Sequence, residues 1–209
     1  MDIIDFHTHH PDAVAALISV DPHQFTPRPG LWYSVGFHPW DHVDTLAEGD
    51  FDLLERCARH PQVLAIGETG MDSLHGAGID IQARVFVRHL QVAHAVGKPV
   101  VVHCVRMAQR IIHEQHKAGL DNVTLAIHGM RANVGVARIL IDAGCYLSFG
   151  PRFNSASLLA TPPDRLLIET DDAPLTIQDV AEGIASALNL TSEQIMKTAA
   201  GNTQRLLLQ

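Results

Sequence analysis

Short β-branched runs recur along the chain, and several are followed by a stretch whose apolar positions fall at helical spacing. The runs predict strands over 3–7, 15–20, 31–36, 63–67, 99–103, 123–128, 145–149 and 165–170. Helices are predicted over 51–60, 81–96, 107–118, 133–143 and 177–188, and a last one opens at Thr191 with Gln194 in capping-box spacing. Gly97, Gly119 and Gly144 stand where helices should stop. Strands that alternate with helices pair in parallel, because the crossover helix returns the chain to the same end of the sheet. Eight of them in 209 residues predict an α/β fold, a small (β/α)8 TIM barrel near the lower size limit of that architecture. With no linker, low-complexity tract or internal repeat, residues 1–209 read as one domain.

The pattern thins at the beginning. Between 9 and 15, and again between 20 and 31, there is no room for a crossover helix, and the second gap is rich in proline and ends on Gly30. Helices are therefore expected to be reduced around the first three strands. Apolar residues on that flank would be exposed unless the C-terminal helix or a second subunit covers them, which gives a physical cause for a homodimer there.

Composition sets the surroundings. Hydrophobic residues make up 46% of the chain, enough for one substantial core. The formal net charge of −8 argues against a general polyanion-binding surface, since phosphate contacts come mainly from Lys and Arg. A nucleic-acid substrate is compatible with that charge when bound divalent cations supply positive charge locally. Cys57, Cys104 and Cys145 are odd in number and lack CxxC spacing, which reads as reduced thiols in a cytoplasmic protein. No signal-peptide pattern opens the sequence and no apolar run is long enough to cross a membrane, so a soluble, cytoplasmic protein is expected. Histidine is the anomaly, with 14 against 15 Lys plus Arg.

The histidines fall where chemistry would need them. In Asp5-Phe6-His7-Thr8-His9, strand alternation points Asp5, His7 and His9 to one face. Two imidazoles there can grip a metal while the carboxylate braces a ring nitrogen. Taken alone, the pattern fits a surface strand with two solvated histidines equally well. In a barrel, however, the active site forms at the C-terminal strand ends. His7 and His9 follow the first strand, His38 the third, Glu68 the fourth, His103 the fifth, His128 the sixth and Asp171 the eighth. Histidine or carboxylate closing six of eight strands is the convergence a metal site requires.

The segments DFHTHH, VGFHPW, AIGETGMD, KPVVVHC, AIHGM, LLIETDDAP and GNTQRLL follow one another from end to end. Through them the chain resembles the TatD-type metal-dependent deoxyribonucleases of the amidohydrolase superfamily. The resemblance implies a binuclear centre with His7, His9 and Asp171 on one metal, His103 and His128 on the other, and Glu68 as the bridge. Two cations about 3.5–4 Å apart can clamp the attacking and leaving oxygens of an in-line displacement. A water held by them loses its proton near neutral pH, which makes Asp171 the candidate general base or proton shuttle. Glu169, one layer deeper, is expected to hydrogen-bond rather than react. His38 is a candidate for a substrate phosphate or leaving group, and Arg106 and Arg152 for phosphate, which guanidinium binds bidentately. For these three the alternative is a loop-stabilising or surface residue. His10 and Asp72 lie beside the motifs without an assigned role.

The rebuilt loops concern the substrate more than the metals. The family's arginine two residues past the fifth-strand histidine stands three past it here, at Arg106. The usual His-Cys-Phe-Ser-Gly reads His128-Gly129-Met130-Arg131-Ala132, and the eighth strand closes on Asp171-Asp172-Ala173-Pro174. Three readings follow: a phosphodiesterase or deoxyribonuclease, a hydrolase of a small ester, lactone or amide, and a non-catalytic metal-binding protein. A purely structural zinc site closes with four ligands, so Glu68 and Asp171 beside the histidines speak against the third. Two divalent metal ions are expected. Four imidazoles with two carboxylates favour zinc, manganese, iron or cobalt, whereas the family resemblance implies magnesium.

Overall fold

A computed structural model of the chain describes residues 3–208. Among the described residues, eight parallel strands close into a barrel in chain order. They are β1 (Asp5–Thr8), β2 (Ala16–Val20), β3 (Trp32–Val35), β4 (Val63–Asp72), β5 (Val100–Val105), β6 (Leu125–Ile127), β7 (Tyr146–Phe149) and β8 (Leu166–Ile168). Helices α1 (Glu48–Ala58), α2 (Ile79–Val96), α3 (Ala108–Lys117), α4 (Val134–Asp142), α5 (Ser155–Ala160), α6 (Ile177–Leu188) and α7 (Ser192–Leu207) surround it. The protein is thus a (β/α)8 barrel, as the alternating pattern predicts. No helix among the described residues is long and apolar enough to cross a membrane.

Strand alternation sorts the apolar residues into two cores. Val100, Val102, Leu125, Ile127, Leu147, Leu166 and Ile168 pack outward with the helices. Val101, Ala126, Tyr146 and Leu167 turn inward and meet Phe6, Leu17 and Ala65. Leu206 and Leu207, at the end of α7, join this inner cluster and floor the barrel. Asn202, in the closing GNTQRLL segment, fastens that helix by donating to the carbonyls of Pro163 and Leu166, each at 2.7 Å. His103, His128 and Glu169 stand two residues beyond Val101, Ala126 and Leu167, so the inward register that builds the core also aims them into the mouth.

The thin flank is real. No helix separates β1 from β2, and a 3-10 turn at Pro22–Gln24 is the one regular element described between β2 and β3. Ala16 and Ile18 are nevertheless buried within the chain, while Val14 is 79% exposed. Three local differences from expectation have identifiable causes. Helix α1 starts at Glu48 rather than 51, where the Asp50 carboxylate accepts from the Ala47 N–H at 2.7 Å. Helix α5 is six residues long and too short for periodicity to reveal; the Asn154 side chain accepts from Ser157 N–H and starts it. Strand β4 does not stop near Gly67 but runs to Asp72, after a register shift against β5 between Ile66 and Thr69.

Candidate metal centre

Glu68 lies at the centre of the site because β4 continues past it. Gly67 and Gly70 flank it at φ of +126° and +147°, and a Cβ there would lie 2.4 Å from the Val101 carbonyl oxygen and 2.0 Å from that of His103. Only glycine lets β4 approach β5 this closely, and the approach sets the Glu68 carboxylate against His103.

The two carboxylate oxygens of Glu68 divide the histidines. Oε2 is 3.2 Å from the Nε2 atoms of both His7 and His9. Oε1 is 2.7 Å from His128 Nε2, 2.8 Å from His103 Nδ1 and 3.0 Å from His38 Nε2. Asp171 completes the first group, its Oδ1 3.7 Å from Nε2 of His7 and of His9. The backbone latches it there: Asp171 N–H donates to His7 O at 2.9 Å, and His9 N–H donates back to Asp171 O at 3.1 Å. His7, His9, Glu68, His103, His128 and Asp171 are therefore brought together around one point. His38 comes closer to Glu68 than a purely substrate-facing residue needs to, and joins Glu68 and His103 in a group that could hold an ion.

The buried carboxylates and imidazoles set one another's charge. Burial opposes ionisation of Glu68, but His128, His7 and the hydrogen bond from His103 outweigh it and hold the carboxyl well below its ordinary range. Burial likewise opposes a charged His128, yet Glu68 and Glu169 raise it well above the usual imidazole value. His9 is raised as well, by the Glu68 carboxylate beside its ring. Both ring nitrogens of His7, Glu68 Oε2 and His128 Nδ1 are buried with no hydrogen-bond partner among the described residues. Donor atoms about 2.0–2.2 Å from a shared cation are spaced as these are, and imidazole with carboxylate is a donor set that binds divalent transition metals. The residues fit metal.

Outer contacts hold the rings. The reach of β4 to Asp72 brings a buried carboxylate to His103, with Oδ2 3.2 Å from Nε2, so this imidazole lies between Glu68 and Asp72. The same Oδ2 accepts from the Trp40 indole N–H at 2.8 Å. Burial acts to raise the Asp72 carboxyl, but the Leu74 N–H, the indole and the rings of His103 and His75 pull it down to about 2. Buried Glu169 accepts from Gly129 N–H at 2.5 Å and lies 3.6 Å from His128 Nδ1, the supporting place expected for it. Asp5 differs from expectation. One extra residue on β1 relative to β2, between Asp5 and Thr8, breaks the alternation, and Asp5 accepts from Thr170 N–H and Oγ1–H instead of a histidine ring.

A cavity of about 490 Å³ opens over the centre, within the roughly 300–1,000 Å³ common for ligand sites. His9, His38, Trp40, Arg131, Arg152 and Asp171 are among its walls. Arg106 instead lines a neighbouring recess that shares His103, His128 and Arg131 with it. His10 reaches the Ala173 carbonyl at 2.9 Å and ties the loops after β1 and β8 together. Asp72, Trp40 and Arg131 are the site residues that strand-end reasoning passes over. Two of them belong to segments named above, GETGMD and GFHPW, but their roles depend on a register shift and a loop path that no periodicity encodes.

Comparison with known proteins places the chain in a family. A family model described as TatD related DNase matches residues 23–208, a span that begins after the His7 and His9 motif. The metal-dependent hydrolase YabD of Bacillus subtilis is 29% identical over 197 residues, covering 84% of this chain and 77% of its own. The 3'-5' ssDNA/RNA exonuclease TatD of Cronobacter turicensis is 30% identical over 175 residues, covering 77% of this chain and 64% of its own. Among solved structures, the TatD homologue YjjV of Escherichia coli shares the fold at a TM-score of 0.83 and 20% identity, over 100% of this chain and 98% of that one. A lactonase of Deinococcus radiodurans shares it more distantly, at 0.63 and 14%, over 84% of this chain and 72% of that one. The chain belongs to the TatD related DNase family.

Proposed function

We propose that the protein is a metal-dependent phosphodiesterase acting on the ends of nucleic-acid strands. The observation that carries this reading is the division of Glu68: one oxygen faces His7 and His9, the other His103 and His128. That arrangement suits a bridging carboxylate between two divalent cations, with Asp171 beside the first pair and His38 beside the second. Such cations would supply the Lewis acidity that activates water and neutralises charge on a phosphoryl oxygen. The chain's own residues then have distinct tasks. Asp171, with a side chain 26% exposed, is within reach of solvent and takes the proton of the attacking water on its carboxylate. Asp72 holds the ring of His103 so that its donor nitrogen keeps its aim, and the Glu169 carboxylate lies 3.6 Å from His128 Nδ1 as a counter-charge to that ring. Arg131 and Arg152 receive phosphate oxygens at the cavity wall. The exonuclease activity named for the Cronobacter relative supports the same substrate class.

The test is metal analysis of the purified protein followed by a chelator-controlled assay on end-labelled single-stranded DNA, a small phosphodiester and a lactone. Metal-dependent shortening of the DNA is expected. Hydrolysis confined to the lactone overturns the reading in favour of acyl chemistry at the same centre.

A further inference from the structure

The cavity wall formed by the loop after β3 carries an indole that offers no metal-ligating atom of its own. Trp40 is 51% exposed although it lies against the centre. Its ring meets His38 edge-on, with centroids 4.9 Å apart and planes at 88°, and His103 at 5.3 Å and 76°. Its N–H is fixed on Asp72, the carboxylate that also faces His103. An aromatic side chain pinned at its polar edge and open over half its surface has already lost most of its rotamer freedom. Stacking on it therefore costs little further ordering.

The ring order of the barrel shows what this surface faces. Trp40 follows β3, whereas Arg131 follows β6 and Arg152 follows β7, three and four strands away in a closed ring of eight. The loops that carry the indole and the two guanidiniums thus rise from opposite sides of the barrel, and all three side chains line the one cavity that also holds Glu68 and its histidines. A planar apolar group at one end of a ligand and anionic oxygens at the other would satisfy both walls at once. A nucleotide has that polarity. In a chain of net charge −8, two arginines at one wall are a local arrangement and no general basic track.

We propose that Trp40 is the stacking platform for the terminal nucleobase of a single strand, and that it makes the enzyme prefer ends that carry a base. This rests on the phosphodiesterase reading above. Base stacking on an aromatic residue tolerates every base, so the preference is for the presence of a base and not for its identity.

The experiment compares a short all-thymidine strand with one of the same length and charge whose two end residues lack their bases. The metal-loaded wild type should show a kcat/KM about tenfold higher on the complete strand. Trp40→Ala should bring the ratio of kcat/KM between the complete and the abasic strand down to about one, and Trp40→Phe should retain the preference. In metal-free Trp32→Phe protein, where Trp40 is the remaining indole, the complete strand should quench the fluorescence and the abasic strand should not. A preference that survives Trp40→Ala overturns the proposal. So does an equal loss on both strands, which would mean that the indole only holds Asp72 in place. Absence of cleavage of either strand by a protein that still hydrolyses a lactone sinks the phosphodiesterase reading and this proposal with it. Cleavage without a base preference sinks this proposal alone.

Discussion

The barrel mouth has two layers that are built differently. The lower layer consists of donor atoms at strand ends. Buried His7, Glu68, His103 and His128 stand on strands or directly after them, each strand paired with a neighbour on either side. The upper layer consists of Trp40, Arg131 and Arg152, all exposed and carried by loops. Under the proposed function, the difference makes reaction chemistry and substrate choice separable. Changes below should affect every substrate together, and changes above should affect substrates unequally.

The most damaging substitution should be the one at the heart of the lower layer. Glu68→Ala removes both oxygens around which the histidines gather and leaves the raised His128 without its principal counter-charge. Turnover should fall on all substrates alike by more than the roughly 10- to 100-fold that loss of an outer partner costs, and the purified variant should carry less metal. Steady-state kinetics and elemental analysis on the same preparation check this. A variant that keeps its metal and its full rate would dissolve the distinction between the layers.

Asp72 is where the layers meet, because one oxygen faces His103 below and accepts from Trp40 above. Asp72→Asn keeps the shape but removes the charge that favours a proton on His103 Nε2 and so strengthens Nδ1 as a donor. A loss of roughly 10- to 100-fold in metal affinity is expected, measured by competition with a chelating dye. If the affinity is unchanged and only the preference between substrates moves, Asp72 belongs to the rim.

The two layers were also unequally legible in the sequence. Barrel strands alternate with a period of two, so a histidine two residues beyond an inward Val101 or Ala126 is placed by arithmetic. That is why His103 and His128 follow their strands on the inward face, and why the fold followed from alternating patterns alone. The same arithmetic fails wherever a bulge intervenes. The extra residue in β1 sends Asp5 to Thr170, and the shift in β4 carries the strand five residues past 67, where the predicted strand ends, which left Asp72 without a role. Loop residues such as Trp40 and Arg131 lack even that signal. Their positions depend on the path of a connection, which is set by tertiary contacts.

One such contact gives the smallest effect and the sharpest test of how the rim is supported. The loop that carries His38 and Trp40 hangs from α2 through buried His89, whose Nε2 accepts from Phe37 N–H at 2.9 Å while Nδ1–H donates to the Val85 carbonyl at 2.8 Å. Both bonds require the neutral ring with its proton on Nδ1. Burial pushes His89 down to about 4 from an ordinary 6.5. Between those values the unfolded chain binds a proton that the folded chain refuses, so this contribution to stability is complete above about 6.5 and is lost as pH falls toward 4. From pH 7 to pH 5.5 the loss should be about 1 kcal/mol. Asp5 works in the opposite sense, since burial raises its carboxyl to about 7 and favours the protonated fold as pH falls. The pH dependence of the wild type alone therefore mixes the two. Denaturant unfolding of the wild type and of His89→Gln at both pH values separates them: the gap between the proteins should narrow by about 1 kcal/mol at the lower pH. A gap that stays constant would mean that His89 is charged in the fold, and the hydrogen bond to Phe37 could not then be what holds the rim.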